Sequence, residues 1–236
     1  MILISGLCAG FCVLWFLCTQ LASAYNCSEP VLSIVPTVQT QPIQQMQFPF
    51  EIPGTTLIAE QIVSYDGLFT EGDSVYDVTN VAALLLYNYG DYGITDAEIL
   101  LQAGKVEFRF TADTLPAGER LLVPEQNRKE YGPKEFTFCT GWQQVDKSGW
   151  QKTDIISLQY PDMGEVVVTN LTDGKLNGIY LLYKTYYPEA DFYVGGQTCT
   201  YYIEKLDAGE SIRIYPHNYA LGYSRFARIM IDEPYL

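Results

Sequence analysis

The sequence predicts an all-β protein built as two tandem β-sandwich modules, and three observations carry that expectation. One stretch, Leu84–Leu101, recurs as Val166–Tyr183 without a gap: Asn88 falls on Asn170, Asp91 on Asp173, Ile94 on Leu176 and Leu100 on Leu182. Strand-forming residues dominate, with 19 Tyr and 11 Phe among abundant Val, Ile and Thr. Turn residues punctuate the chain roughly every 8 to 12 residues, the spacing of a sandwich or barrel.

The elements follow in order. Met1–Leu21 carries no charge and is almost wholly apolar, ending in Ala22-Ser23-Ala24, the small-x-small pattern of a signal-peptidase site. No Lys or Arg precedes the apolar run, so two readings stand: a cleaved signal peptide (1–24) or an uncleaved anchor of about spanning length. Residues 25–53 are rich in Pro and Gln, which favours extended, solvated backbone and marks a spacer. Its last apolar residues, Phe48, Phe50 and Ile52, are placed to dock on the first module. That module is expected over 54–145 and its copy over 146–236.

Strands are expected at Leu57–Val63, Val81–Tyr89, Ile94–Leu101, Val106–Phe110, Leu121–Val123, Phe136–Cys139 and Ile155–Tyr160. The second copy supplies Glu165–Leu171, Leu176–Tyr187, Gln197–Leu206, Ser211–Pro216 and Arg225–Ile231. Val106-Glu-Phe-Arg-Phe110 alternates apolar and charged, as a strand with one wet face does. No long helical period occurs; Pro124–Lys129 has room for a short helix and no more.

The repeat continues beyond the first stretch. Leu115–Asn127 aligns with Leu206–Asn218 at an offset of 91 in place of 82, so the second copy carries a net insertion of nine residues around Tyr187–Gly196. Gly118 and Gly209 occupy the same turn position, where a positive φ is expected. Asn88 and Asn170 close the same strand, as a side chain that bonds nearby backbone does.

In the second copy Val167-Val-Thr-Asn170, Leu176-Asn-Gly-Ile-Tyr-Leu-Leu-Tyr-Lys184 and Leu206-Asp-Ala-Gly-Glu-Ser211 resemble the FxLYD-type immunoglobulin-like module of bacterial secreted and surface proteins. Tyr180–Lys184 has Tyr for Phe and Lys for Asp, and Glu98–Gln102 of the first copy departs further. The resemblance implies a small extracellular sandwich without catalysis and carries over no functional residues.

Composition narrows the function. A formal net charge of −14 argues against nucleic acid and anionic lipid, both polyanions; membrane contact is left to the N-terminal segment, if uncleaved. A hydrophobic content of 48% supplies a core. No nucleophile elbow, phosphate loop or Cys-x-x-Cys is present, and His217 is the one histidine, so no enzyme is expected. Cys139 and Cys199, each in a strand-like segment outside the cytoplasm, are the preferred disulfide; three unpaired thiols (Cys27 included) is the other reading.

Two ligand sites are candidates. Asp66, Glu71, Asp73 and Asp77 offer oxygen ligands suited to calcium; a solvated acidic loop is the competing reading. Tyr186, Tyr187, Phe192 and Tyr193 cluster on the inserted hairpin, with Tyr201 and Tyr202 beyond, where exposed rings would stack on sugars or anchor a protein; half-buried strand residues is the plainer reading. The function expected is that of a secreted or envelope-associated, non-enzymatic binding or structural protein, with a glycan or an extracellular protein as partner. The alternative is a carbohydrate-binding protein acting through the 186–202 aromatics.

Overall fold

The computed structural model describes residues 47–69, 76–147, 150, 154–162, 164–219 and 222–232. Residues 1–46 (Cys27 among them), Glu71 and Asp73 lie outside the described residues. Among the described residues the chain is all strand, turn and loop, with no helix. The first copy comprises β1 (Phe50–Glu51), β2 (Leu57–Phe69), β3 (Tyr76–Asn88), β4 (Gly93–Ala103), β5 (Val106–Ala112), β6 (Arg120–Pro124) and β7 (Phe138–Asp146). The second comprises β8 (Ile156–Gln159), β9 (Val166–Asn170), β10 (Leu176–Tyr187), β11 (Phe192–Leu206), β12 (Ser211–Ile214) and β13 (Ser224–Asp232).

The duplication seen in the sequence is a duplication of topology. The first copy pairs β2-β3-β6 in one sheet and β5-β4-β7 in the other; the second pairs β8-β9-β12 and β11-β10-β13. Registers agree as well. Leu57 faces Asn88 as Ile156 faces Asn170, and Ile99 faces Phe110 as Leu181 faces Tyr201.

Each copy encloses its own core. Leu84, Leu86, Ile99, Leu101, Phe108, Phe110, Leu121 and Val123 fill the first, and Val166, Val168, Ile179, Leu181, Leu206 and Ile214 the second. Alternation along each strand sends these residues inward. The short helix for which Pro124–Lys129 had room is not formed. The buried Glu125 carboxylate accepts from the backbone N–H of Asn127 (2.9 Å), Lys129 (2.8 Å) and Arg109 (3.1 Å), which closes a turn instead.

The copies are fused. β6 and β11 pair in parallel, Leu121 with Tyr193 and Leu122 with Val194, so one seven-stranded sheet runs β1-β2-β3-β6-β11-β10-β13. The strand that makes this junction is the insertion. In the first copy the β4–β5 hairpin turns directly after Ala103 opposite Val106. In the second, β10 and β11 shift register after Tyr183 and continue through Thr185–Val194, Tyr186–Tyr193 and Tyr187–Phe192. That extra length reaches β6.

Candidate functional site

Asn88 and Asn170 are both fully buried. The Asn170 amide donates to the carbonyls of Gly174 (2.7 Å), Leu206 (3.1 Å) and Asp207 (3.0 Å), and its Oδ1 accepts from Thr172 N (2.9 Å) and Oγ1 (2.7 Å). Asn88 donates to the equivalent carbonyls of Tyr92, Leu115 and Pro116, while its Oδ1 accepts from Gly90 N and Thr56 Oγ1. Gly118 (φ +73) and Gly209 (φ +68) complete the same turn. These residues hold a corner of each copy. With every polar atom engaged in backbone or a neighbouring hydroxyl, they are structural.

The aromatic hairpin expected to meet a ligand is turned inward. Tyr193 is 1% exposed and belongs to the first core. Phe192 and Val194 are buried on the opposite face of the sheet against Val63, Ala83, Leu85 and Leu122, with Tyr187 packed alongside. Tyr186 is half-buried against the first core, its ring 5.2 Å from that of Tyr193. Arg225 lies 5.0 Å from the Tyr186 ring and pairs with Glu119 of the first copy at 3.1 Å. Parallel pairing to β6 forces this, because β11 becomes an interior strand with both faces covered. Burial pushes the Tyr193 hydroxyl far above its ordinary pKa. The four rings are therefore a seam between the copies. Of the two residues beyond, Tyr202 is exposed and Tyr201 packs against the second core.

An ion pair between a buried lysine and a partly exposed aspartate closes the same seam. The Lys184 side chain is fully buried and its ammonium donates to Asp113 Oδ1 (2.8 Å), Gly195 O (3.1 Å) and Gly196 O (2.8 Å). Asp113 in turn accepts from Thr198 N and the Thr198 hydroxyl. Every partner is satisfied, as a buried charge requires.

The acidic loop offers less than its composition promised. Asp66 accepts the backbone N–H of Asn80 at 2.6 Å, Asp77 is exposed opposite Leu68 in the β2–β3 ladder, and Glu71 and Asp73 lie outside the described residues. Among the described residues no cluster of three or more His, Cys, Asp or Glu is arranged to hold a metal ion.

The Cys139–Cys199 bridge is not formed; both thiols are free. Cys139 lies on β7 opposite Leu101, and Cys199 on β11 opposite Tyr183, in different sheets of different copies. Burial pushes the Cys139 thiol up to about 11 and raises that of Cys199 as well, which favours the protonated thiol at both.

What the structure does expose is the outer face of β5-β4-β7. Phe138 is 55% and Trp142 54% exposed, both on the outward side of edge strand β7. Gln102 faces Phe138, Leu100 faces Thr140 and Glu98 faces Trp142 across an unshifted ladder. Arg109 on β5 pairs with Glu98 (3.0 Å) and Glu107 (3.3 Å). Phe138 also lines an open pocket of about 420 Å3, with Gln47, Phe50, Glu51, Pro53 and Cys139 among its other walls.

Local packing explains why aromatics point outward here. A Cβ at Gly141 would come within 2.4 Å of Ile52 Cγ2, so the inward side of β7 needs small residues where the spacer's end crosses it. The strand reads large outside and small inside, the reverse of a core strand. That inversion, Phe138-x-Thr140-x-Trp142 around Cys139 and Gly141, is visible in the sequence, but the strand expected at Phe136–Cys139 stops short of Trp142, whereas β7 runs on to Asp146.

No family model matches the chain, and neither does any curated protein or solved structure.

Proposed function

We propose that this is an exported, non-enzymatic binding protein: two immunoglobulin-like modules of FxLYD type, fused into a scaffold that presents the outer face of β5-β4-β7 to a partner outside the cytoplasm. The observation that carries the reading is the exposure of Phe138 and Trp142 on a strand fixed at its inner side by the first core. Large exposed rings are surface a protein keeps where it binds something, and a sheet strand holds them with little freedom to lose on binding. The apolar leader and the spacer support export and a working distance from the cell surface. The acidic charge supports a partner other than nucleic acid.

The test is adsorption to isolated cell envelopes, measured by co-sedimentation. Wild-type protein is expected to pellet with the envelopes and Trp142→Ala to remain in the supernatant. Equal partition of the two would refute the role of this face.

A further inference from the structure

We propose that the ligand of this face is a linear, uncharged glycan chain, lying along β7 and stacked on Phe138 and Trp142. This rests on the reading of the protein as a binding protein acting through the same face. Four features of the surface select that chemistry.

The first is ring placement. Phe138 and Trp142 are four residues apart on a ladder unshifted between them, so their Cα atoms stand about 13 Å apart at about 3.3 Å per residue. That separation lets each ring hold a different unit of one extended chain. The second is what lies between and beside them. Thr140 parts the rings on β7 with half-buried Leu100 opposite it on β4, Gln102 and Gln144 flank them, and Glu98 lies opposite Trp142. A folded protein partner takes a broad contiguous apolar centre; two rings parted by a hydroxyl and one half-buried leucine, with amides alongside, suit a ligand whose apolar ring faces alternate with hydroxyls.

The third is charge. Arg109 is held between Glu98 and Glu107, so this cation is neutralised by its neighbours. A single-stranded nucleic acid or an anionic polysaccharide, which would also stack, needs a cationic groove, and the chain's net charge of −14 opposes both. The fourth is continuity: Phe138 itself lines an open pocket of about 420 Å3, whose other walls include Gln47, Phe50, Glu51 and Thr137, so the surface continues past the first ring.

The experiment is affinity electrophoresis of the full exported protein through gels containing neutral polysaccharides (a β-glucan, a mannan and a galactan), beside wild-type envelope co-sedimentation. At least one polysaccharide is expected to retard the wild type. Trp142→Ala should weaken the retardation about tenfold or more, the loss of an interface anchor, Phe138→Ala should weaken it as well, and Trp142→Phe should keep most of it. Unfolding curves for each variant check that the fold is intact, and Thr140→Arg, which thrusts a long charged side chain between the rings, supplies a second block. Retardation unchanged in Trp142→Ala and Thr140→Arg would overturn the site. No retardation by any neutral polysaccharide, with envelope adsorption still lost in Trp142→Ala, would overturn the glycan and leave the binding face standing with another partner. Absence of both would overturn the binding reading with it.

Discussion

Substituting Asn170 by Asp changes one atom type and should destabilise the protein in a way that depends on pH with a defined sign. The amide donates to three carbonyls, those of Gly174, Leu206 and Asp207. A carboxylate has no hydrogen to donate, so the two N–H groups shared among these carbonyls are lost, at about 1 kcal/mol each and about 2 kcal/mol together. The ionised group would also face three carbonyl oxygens in a site with no solvent access. Its pKa in the folded state must therefore rise above the unfolded value of about 3.9.

The sign follows from linkage. Below about pH 4 both states carry the proton, and the acid can still donate one hydrogen bond. As pH rises past the unfolded pKa the unfolded chain releases its proton and the folded one keeps it. Stability then falls by about 1.4 kcal/mol per unit until the folded pKa is passed. Asn170→Ala provides the reference, with a loss of about 3–5 kcal/mol that has no such titration. Urea unfolding from pH 4 to pH 7 measures both. With a slope of about 2–3 kcal/mol per M, the alanine variant should shift the midpoint by about 1–2 M at every pH, and the aspartate variant should fall away from it as pH rises. Asn88→Asp should behave alike, because its partners are the equivalent atoms. A gap between Asp and Ala variants that stays flat with pH would refute the argument that the site excludes water and offers only acceptors.

Two further predictions test the seam and the thiols. Tyr193→Ala should cost about 3–5 kcal/mol, the loss of a large core ring, while Tyr193→Phe should stabilise by about 1 kcal/mol or more, since the buried hydroxyl has no hydrogen-bond partner; thermal unfolding reads both, and a neutral Tyr193→Ala would return the hairpin to the surface. Alkylation of Cys139 should be roughly two hundred times slower at pH 8 than for a thiol of ordinary pKa, and should keep accelerating with pH toward about 11; peptide mapping after a timed iodoacetamide pulse follows it, and fast labelling at pH 8 would disprove the burial.

The strands, their order and the two copies were legible because each rests on local chemistry repeated in place. Alternation marked β5, the shared turn marked Gly118 and Gly209, and the Asn at a strand end announced its hydrogen bonds to nearby backbone. The candidate site was misplaced because burial depends on which edges meet, and that is a long-range property. Tyr186, Tyr187, Phe192 and Tyr193 looked like an exposed hairpin tip so long as the two copies were taken as separate sandwiches. Once β11 reaches β6, the same residues become interior. Nothing in residues 187–196 alone encodes the arrival of Leu121 and Leu122 from the other copy.

Comparing the equivalent sheets shows why the fusion leaves a surface on one side. The sheets β5-β4-β7 and β11-β10-β13 descend from one pattern, yet the second has been drawn into the seven-stranded sheet, where its edge strand is spent on the seam. An open parallel or antiparallel edge is a liability that invites aggregation, and the insertion hides two of them, β6 and β11, at once. The first copy's β5-β4-β7 takes no part in that sheet. The β5-β4-β7 sheet meets the second copy at its strand ends, Asp113 with Lys184 and Asp146 with Arg228. It is also where β7 carries Phe138 and Trp142 outward, held from behind by Ile52 against Gly141. The duplication gave two like sheets; the nine inserted residues made one of them a joint and left the other outside the seven-stranded sheet.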